Sequence, residues 1–169
     1  MKNQVLETIN QRRSVRSFTE EAVRAEDLAA VLEAGRWAPS GMNNQPWRFV
    51  VVESPEKKNE LAGLTRYGRI IRSAAVCVAV FLDQEACYDQ IKDAQAAGAC
   101  IQNMLLAAQA LGLGAVWLGE ILKNKEKVRD LFALPPTMEL QAVVALGHPQ
   151  NRNQTSQRRP LADLVLGRY

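Results

Sequence analysis

Residues 88–119 read YDQIKDAQAAGACIQNMLLAAQALGLGAVWLG, and their pattern decides how the rest of the chain must be arranged. Residues 88–111 are predicted to form the longest helix, because Ile91, Ala94, Gly98, Ile101, Leu105 and Ala108 recur at the helical period. From Ala96 onward the other faces are largely apolar too, at Ala97, Ala99, Cys100, Met104, Leu106 and Ala107. A helix apolar nearly all round has to be covered all round. A chain of 169 residues has few layers for that task. The expectation is a dimer packed on this helix, with a central core helix of a monomer as the other reading. Gly112 ends the helix, and 114–119 follow as a short strand. Gln102, Asn103, Gln109 and the glycines at 112 and 114 interrupt the apolar stretch, so it is not a membrane span.

Upstream, AAVCVAVFL (74–82) is a continuous apolar run, the mark of a central strand covered on both faces. WRFVVVE (47–53) is aromatic and β-branched and reads as a strand. MELQAVVALG (138–147) reads as the last strand. Helices are expected over 3–12, over about 25–37 with Leu28, Val31, Leu32 and Gly35 on one face, and from Ser54-Pro55 to about 64, with Ser54 as N-cap and Pro55 at the first helical position. A short helical piece covers roughly 66–72. Asn124 is expected to cap a helix over 125–133, closed by Pro135-Pro136. The alternation is irregular and the strands too few for a doubly wound sheet, which gives an α+β sandwich with one small sheet. After His148 the tail is polar as far as Pro160. It is then apolar at Leu161, Leu164, Val165 and Leu166, an arm with an apolar hook suited to a partner subunit.

Composition narrows the function. With 47% hydrophobic and 23% charged residues the chain is an ordinary soluble globular protein, neither disordered nor collagen-like. Its length fits one domain spanning 1–169. A net charge of +3 permits anionic ligands without demanding nucleic acid. Cys77, Cys87 and Cys100 form no CxxC pair, and with His148 as the one histidine they make a poor zinc set, so no metal is expected. They read as reduced thiols of a cytoplasmic protein. The first eleven residues are polar and helical, unlike a signal peptide.

Three constellations could carry chemistry. Arg12-Arg13-Ser14-Val15-Arg16 gathers three guanidiniums and a hydroxyl, groups that match phosphate oxygens. A second basic cluster, Arg158-Arg159, could close on the same phosphate, or the two could form a stripe for a nucleic-acid backbone. Pro39 to Trp47, PSGMNNQPW, packs amides and a hydroxyl just before a strand, suited to the edge of a planar heterocycle, although such amides also cap local backbone. Gly114 to Glu120, GAVWLGE, lets backbone approach a flat ligand. No HExxH, P-loop or GxGxxG is present, and a Ser-His-Asp apparatus would have to use His148 in a Gly-His-Pro turn. Few catalytic side chains beside many anion and amide donors point to a cofactor that carries the chemistry.

These residues resemble the flavin-dependent nitroreductase family. The matching segments are RRSVRSF (12–18), APSGMNNQPWRFVVVE (38–53), AGACIQNMLLAAQALGLGAVWLGE (97–120), LQAVVALGHP (140–149) and RRPL (158–161), in order along the whole chain. The resemblance implies an α/β/α sandwich with a small, mostly antiparallel sheet between helices and a C-terminal strand exchanged in a homodimer. It also implies FMN as cofactor, NAD(P)H as electron donor, and two flavin sites, each built from both subunits.

By position, Arg12, Arg13 and Ser14 match the family's phosphate-binding run, and Arg16 a basic residue near the flavin pyrimidine edge. Pro39, Ser40, Asn43 and Gln45 match the loop that reaches the flavin from the other subunit. Arg69 falls where another basic residue lies near the ring. Trp117, Leu118, Gly119 and Glu120 match the segment passing the isoalloxazine, and Arg158 and Arg159 the basic pair closing on the phosphate. The chain departs from the family at Gln157, where a Lys-x-Arg pattern is common, and at Trp-Leu-Gly-Glu, where Pro-x-Glu-Gly is common. It also has only 83–89 as an excursion over the substrate channel. The implied activity is electron transfer from NAD(P)H to nitroaromatics, quinones or similar flat acceptors by a ping-pong course, with flavin N5 rather than a side chain carrying the chemistry and Arg16 or Arg69 lending charge. A flavin-binding protein of low turnover, a sensor or carrier, is the alternative. No nucleic acid or membrane partner is expected.

Overall fold

The computed structural model describes residues 3–169. Its elements follow one another as α1 (Gln4–Gln11), α2 (Ala25–Arg36), β1 (Trp47–Val52), α3 (Pro55–Ala62), α4 (Gly68–Ser73), β2 (Val76–Asp83), α5 (Gln90–Ala110), β3 (Gly114–Leu118), α6 (Lys125–Leu131) and β4 (Met138–Gly147). The four strands form one sheet in the order β1-β2-β4-β3, and every pairing is antiparallel. The expected α+β architecture is therefore present.

β2 shows why the apolar run belongs at the centre. Alternate residues of a strand point to opposite faces. Val76, Val78 and Val80 enter a core with Val31 of α2 and Cys100, Ile101 and Met104 of α5. Cys77, Ala79 and Phe81 enter the opposite core with Leu61 of α3, Ile71 of α4 and Val128 of α6. Seven of the eight β2 residues are buried, so the strand has no polar face to offer solvent. α5 begins at the cap Asp89, whose carboxylate accepts from the N–H groups of Ile91 and Lys92. It ends where Gly112 takes a positive φ of 77°, the left-handed conformation that glycine adopts without steric cost.

Three expectations need correction. Ile91 shares the helical period but lies 72% exposed, while Asp93 in the same first turn is the residue that turns inward. Asn124 does not cap α6 with its side chain; it donates to the carbonyl of Leu64 at 2.8 Å, and α6 continues out of a 3-10 turn over Glu120–Asn124. α6 stops at Leu131, short of Ala133, which takes a positive φ of 51°. The tail beyond β4 contributes no strand among the described residues, only a 3-10 turn at Leu161–Asp163, and residues 161–169 are exposed. A strand needs a partner edge, and the apolar residues of this arm find none on their own chain.

Candidate functional site

The run 12–18 leaves α1 and crosses the end of the β3–β4 pair. The Val15 N–H donates to the Ala115 carbonyl at 3.0 Å, and Thr19 N–H to the His148 carbonyl at 2.9 Å. Val15 and Phe18 are buried and act as anchors. Between and beside them Arg12, Arg13 and Ser14 are held half-buried against the edge of β3. The tail then returns along the same route: Gln150 N–H donates to the Ser17 carbonyl at 3.0 Å, and the Arg152 guanidinium to the Gly112 carbonyl.

The return brings the two basic clusters together. Burial, the charge of Arg158 and the charge of Arg13, in that order, lower the pKa of the Arg12 guanidinium. Arg13 donates to the carbonyls of Asn10 and Arg12 at 2.6 and 2.9 Å, and its Nε is buried without a partner. Among the described residues Arg12, Arg13, Arg158 and Arg159 have no ion pair with an acid, and the Ser14 hydroxyl has no hydrogen bond. Arg16 is exposed, with a long contact of 3.4 Å to the Ser14 carbonyl. Arg152 was not anticipated from the sequence. With Arg13, Gln11, Gln109 and Gln154 it lines a cavity of about 290 Å³ that holds no acid. Its only signal was one more arginine in a polar tail.

The segment 117–120 lies on the same edge. Trp117 is 41% exposed rather than core. Past Ala115 no strand covers the outer edge of β3 among the described residues, and Trp117 and Gly119 are exposed there on either side of the buried Leu118. The Glu120 side chain is engaged within the protein. Its carboxylate accepts from Thr65 Oγ1 at 2.6 Å and from the Arg66 N–H at 3.3 Å, and it pairs with Lys123. The Lys123 and Thr65 hydrogen bonds hold its pKa down at about 2. Only its backbone is left for a ligand, while its side chain ties the turn before α4 to the end of β3. Arg69 stands exposed on α4 just beyond that turn.

The loop 39–46 lies elsewhere. It precedes β1, the opposite edge of the sheet from β3. Three strand spacings separate those edges, about 14 Å. Pro39, Ser40, Asn43 and Gln45 are therefore not assembled with Arg12 or Trp117 within one chain. Met42, Asn43 and Gln45 take φ values of 51°, 57° and 46°. For residues other than glycine this left-handed conformation is uncommon, and such residues cluster at ligand-binding sites. Ser40 Oγ accepts from the Gln45 N–H at 3.0 Å, and Gln45 Nε2 donates to the Asn43 carbonyl at 3.2 Å. The Asn43 side chain is exposed with no protein partner among the described residues.

Other chemistries find no foothold. Burial pushes the Cys77 and Cys100 thiols up to about 12 and, with help from Asp93, Cys87 up to about 11, so none is a thiolate near neutrality. His148 Nε2 is buried without a hydrogen bond and faces Glu21 at 3.6 Å. Among the described residues no group of His, Cys, Asp or Glu could hold a metal ion, and no helix is long and apolar enough to cross a membrane.

This architecture has known relatives. The Nitroreductase family model matches residues 9–68 and 64–148. A candidate NADH dehydrogenase/NAD(P)H nitroreductase of Archaeoglobus fulgidus is 33% identical over 152 residues, 86% of each chain. The NADPH-flavin oxidoreductase of Vibrio harveyi is 31% identical over 94% of this chain and 71% of its own. Among solved structures, a candidate nitroreductase from Desulfovibrio desulfuricans in complex with FMN superposes with a TM-score of 0.95 at 51% identity, covering 100% of this chain and 99% of that one. Sequence and fold agree, and the chain belongs to the nitroreductase family.

Proposed function

We propose that this chain is an FMN-dependent oxidoreductase that passes electrons from NAD(P)H to nitroaromatic, quinone or similar flat acceptors, working as a cytoplasmic homodimer of one-domain subunits. The observation that carries the proposal is the acid-free gathering of Arg12, Arg13 and Arg158 beside the open edge at Trp117–Gly119. Cations held together without an acid raise one another's energy, and a phosphate dianion relieves that cost while forming charge-assisted hydrogen bonds. The unsatisfied Arg13 Nε and the free Ser14 hydroxyl fit the same group. FMN has such a phosphate at one end and a flat ring with an amide-like edge at the other. FMN is present in the Desulfovibrio relative, and NADPH and flavin stand in the name of the Vibrio one.

In this reading Arg12, Ser14, Arg158 and Arg159 hold the phosphate. Trp117, Leu118, Gly119 and the backbone of Glu120 flank the ring. Arg16 and Arg69 favour negative charge on its pyrimidine side, the kind of preorganised electrostatics that lowers barriers. Bound there, the flavin supplies the two-electron chemistry. The loop with Pro39, Ser40, Asn43 and Gln45 leads into β1, the opposite edge strand from β3, and in this reading it serves the site of a second copy. The exposed apolar arm of Leu161, Leu164 and Leu166 and the groove lined by Val5, Trp37, Leu106 and Ala107 are surfaces that such a pairing covers. The arm supplies the exchanged strand once a partner edge is at hand.

Donor and acceptor use one stacking site in turn, and solvent supplies protons, since no side chain is placed as an acid–base pair. Steady-state rates with NADH or NADPH at several fixed menadione concentrations test this. Parallel double-reciprocal lines are expected. Intersecting lines would sink the one-site scheme, and absence of turnover in FMN-loaded protein would leave a flavin-binding protein instead.

A further inference from the structure

Asp93 is a carboxylate with 1% of its surface exposed, on the first turn of α5, and it does two separate things. Its Oδ2 accepts from the N–H groups of Tyr88 and Asp89, each at 2.9 Å, a local duty at the start of the helix. Its Oδ1 accepts from Asn44 Nδ2 at 2.7 Å, across 49 residues of sequence. The same Asn44 amide nitrogen also donates to the Ala86 carbonyl at 3.0 Å. Asn44 thus sits clamped between the 84–93 excursion and its own loop, and it is the one residue of 42–45 with an ordinary φ, −71°. The residues on either side of it, Asn43 and Gln45, are left-handed. Tyr88 adds a second contact, since a Cβ on Gly41 would overlap its hydroxyl.

A left-handed turn of Met, Asn and Gln persists only where its surroundings over-determine it. The loop's internal bonds are two turn bonds, from Asn43 N–H to the Ser40 carbonyl and from Asn44 N–H to the Gly41 carbonyl at 3.1 Å each, and the partly exposed pairs of Ser40 with Gln45 and Gln45 with Asn43, none of which ties the loop to the rest of the fold. We propose that Asp93 is a positioning residue for the 39–46 loop: through Asn44 it holds the left-handed shape in which Asn43 and Gln45 are presented. That the shape serves a flavin rests on the proposed function above. Asp93 touches no ligand in this reading, and Asn44 is not among the residues assigned to FMN.

The test exchanges donor and acceptor. Asn44→Asp alone sets a half-buried carboxylate against the buried carboxylate of Asp93 and the Ala86 carbonyl. The double variant Asn44→Asp, Asp93→Asn restores one donor facing one acceptor between the two side chains, and the new amide oxygen at position 93 can still take the Tyr88 and Asp89 N–H groups, but the carboxylate at 44 cannot donate to the Ala86 carbonyl. Hydrogen exchange of the Asn43, Asn44 and Gln45 amides is followed beside the FMN dissociation constant of the dimer. In Asn44→Asp the amides at these three positions should exchange at least tenfold faster while β2 and β4 keep their protection, and FMN should bind about tenfold more weakly. The double variant should recover part of both, since the Asp93 bond returns in reversed form while the Ala86 bond stays lost. Unchanged loop exchange in Asn44→Asp, or a double variant as loose as the single one, overturns the proposal. Loop exchange that responds as expected with FMN affinity at the wild-type level upholds the positioning role and instead removes the loop from the flavin site.

Discussion

Two charged corners flank the open edge of β3, and they are finished in opposite ways. At Glu120 the charge is saturated: Thr65 and Arg66 donate to it and Lys123 pairs with it. At Arg12 the charges that act on the guanidinium are those of Arg158 and Arg13, both of the same sign. The first corner is complete as a protein structure and fixes a turn. The second is incomplete and gains from an anion that the chain does not supply. A folded chain lowers its free energy by pairing its charges, so an unpaired cluster that is also half-buried marks a place where a ligand contributes the missing term.

The sharpest way to break this contrast is at Arg12. Charge-assisted hydrogen bonds contribute roughly 1.5–3 kcal/mol each, so Arg12→Ala should weaken FMN roughly ten- to a hundredfold. Riboflavin, which has no phosphate, should bind as before. Equal loss for both ligands, measured by fluorescence titration, would mean that the cluster does not hold the phosphate.

Next comes the arm. Removing residues 161–169 deletes the exposed apolar hook and leaves Arg158 and Arg159 in place. Light scattering should then show a shift from dimer toward monomer, together with looser FMN. A stable, fully FMN-loaded monomer of the intact chain at micromolar concentration would overturn the shared site.

The smallest effect is expected at the completed corner. The Glu120 carboxyl is held from its ordinary 4.5 down to about 2. A lowered pKa contributes stability that is fully present above about 4.5 and is lost as pH falls through about 2. Glu120→Gln should lower the melting temperature by no more than a few degrees at pH 7, because Lys123 and Arg66 are largely exposed and screened. The difference from wild type should shrink as the pH is lowered from 4.5 toward 2. FMN affinity should change less than in Arg12→Ala, and an equal change would show that Glu120 does more than brace a turn.

The cost of leaving apolar groups in water made much of the fold legible. The run 74–82 had no polar face, so it had to be central, and β2 is buried on both sides. Ser54-Pro55 announced α3 through local hydrogen bonding, and the Lys57 N–H does donate to Ser54 Oγ at 3.1 Å. Asn124 carried the same local signal and misled, because the Leu64 carbonyl, 60 residues away, took its amide. The basic run and the amide-rich loop stood out by residue type. The pairing of Asn44 with Asp93 did not, since a lone acid in the first turn of a helix looks like any other cap.

The sequence by itself determined the periodicities, the capped start of α3, and the kinds of chemistry on offer: cations and amides in plenty, one histidine, no metal set. These follow from the nearest few residues and from the free energy of apolar burial, both of which are written locally. Only the tertiary structure decided which of these groups meet. It brought the tail back to set Arg158 beside Arg12, locked Glu120 onto Thr65, and put the 39–46 loop on the edge of the sheet away from β3. Such meetings depend on the order in which four strands lie side by side, and strand order is set by the packing of both cores at once rather than by any one segment.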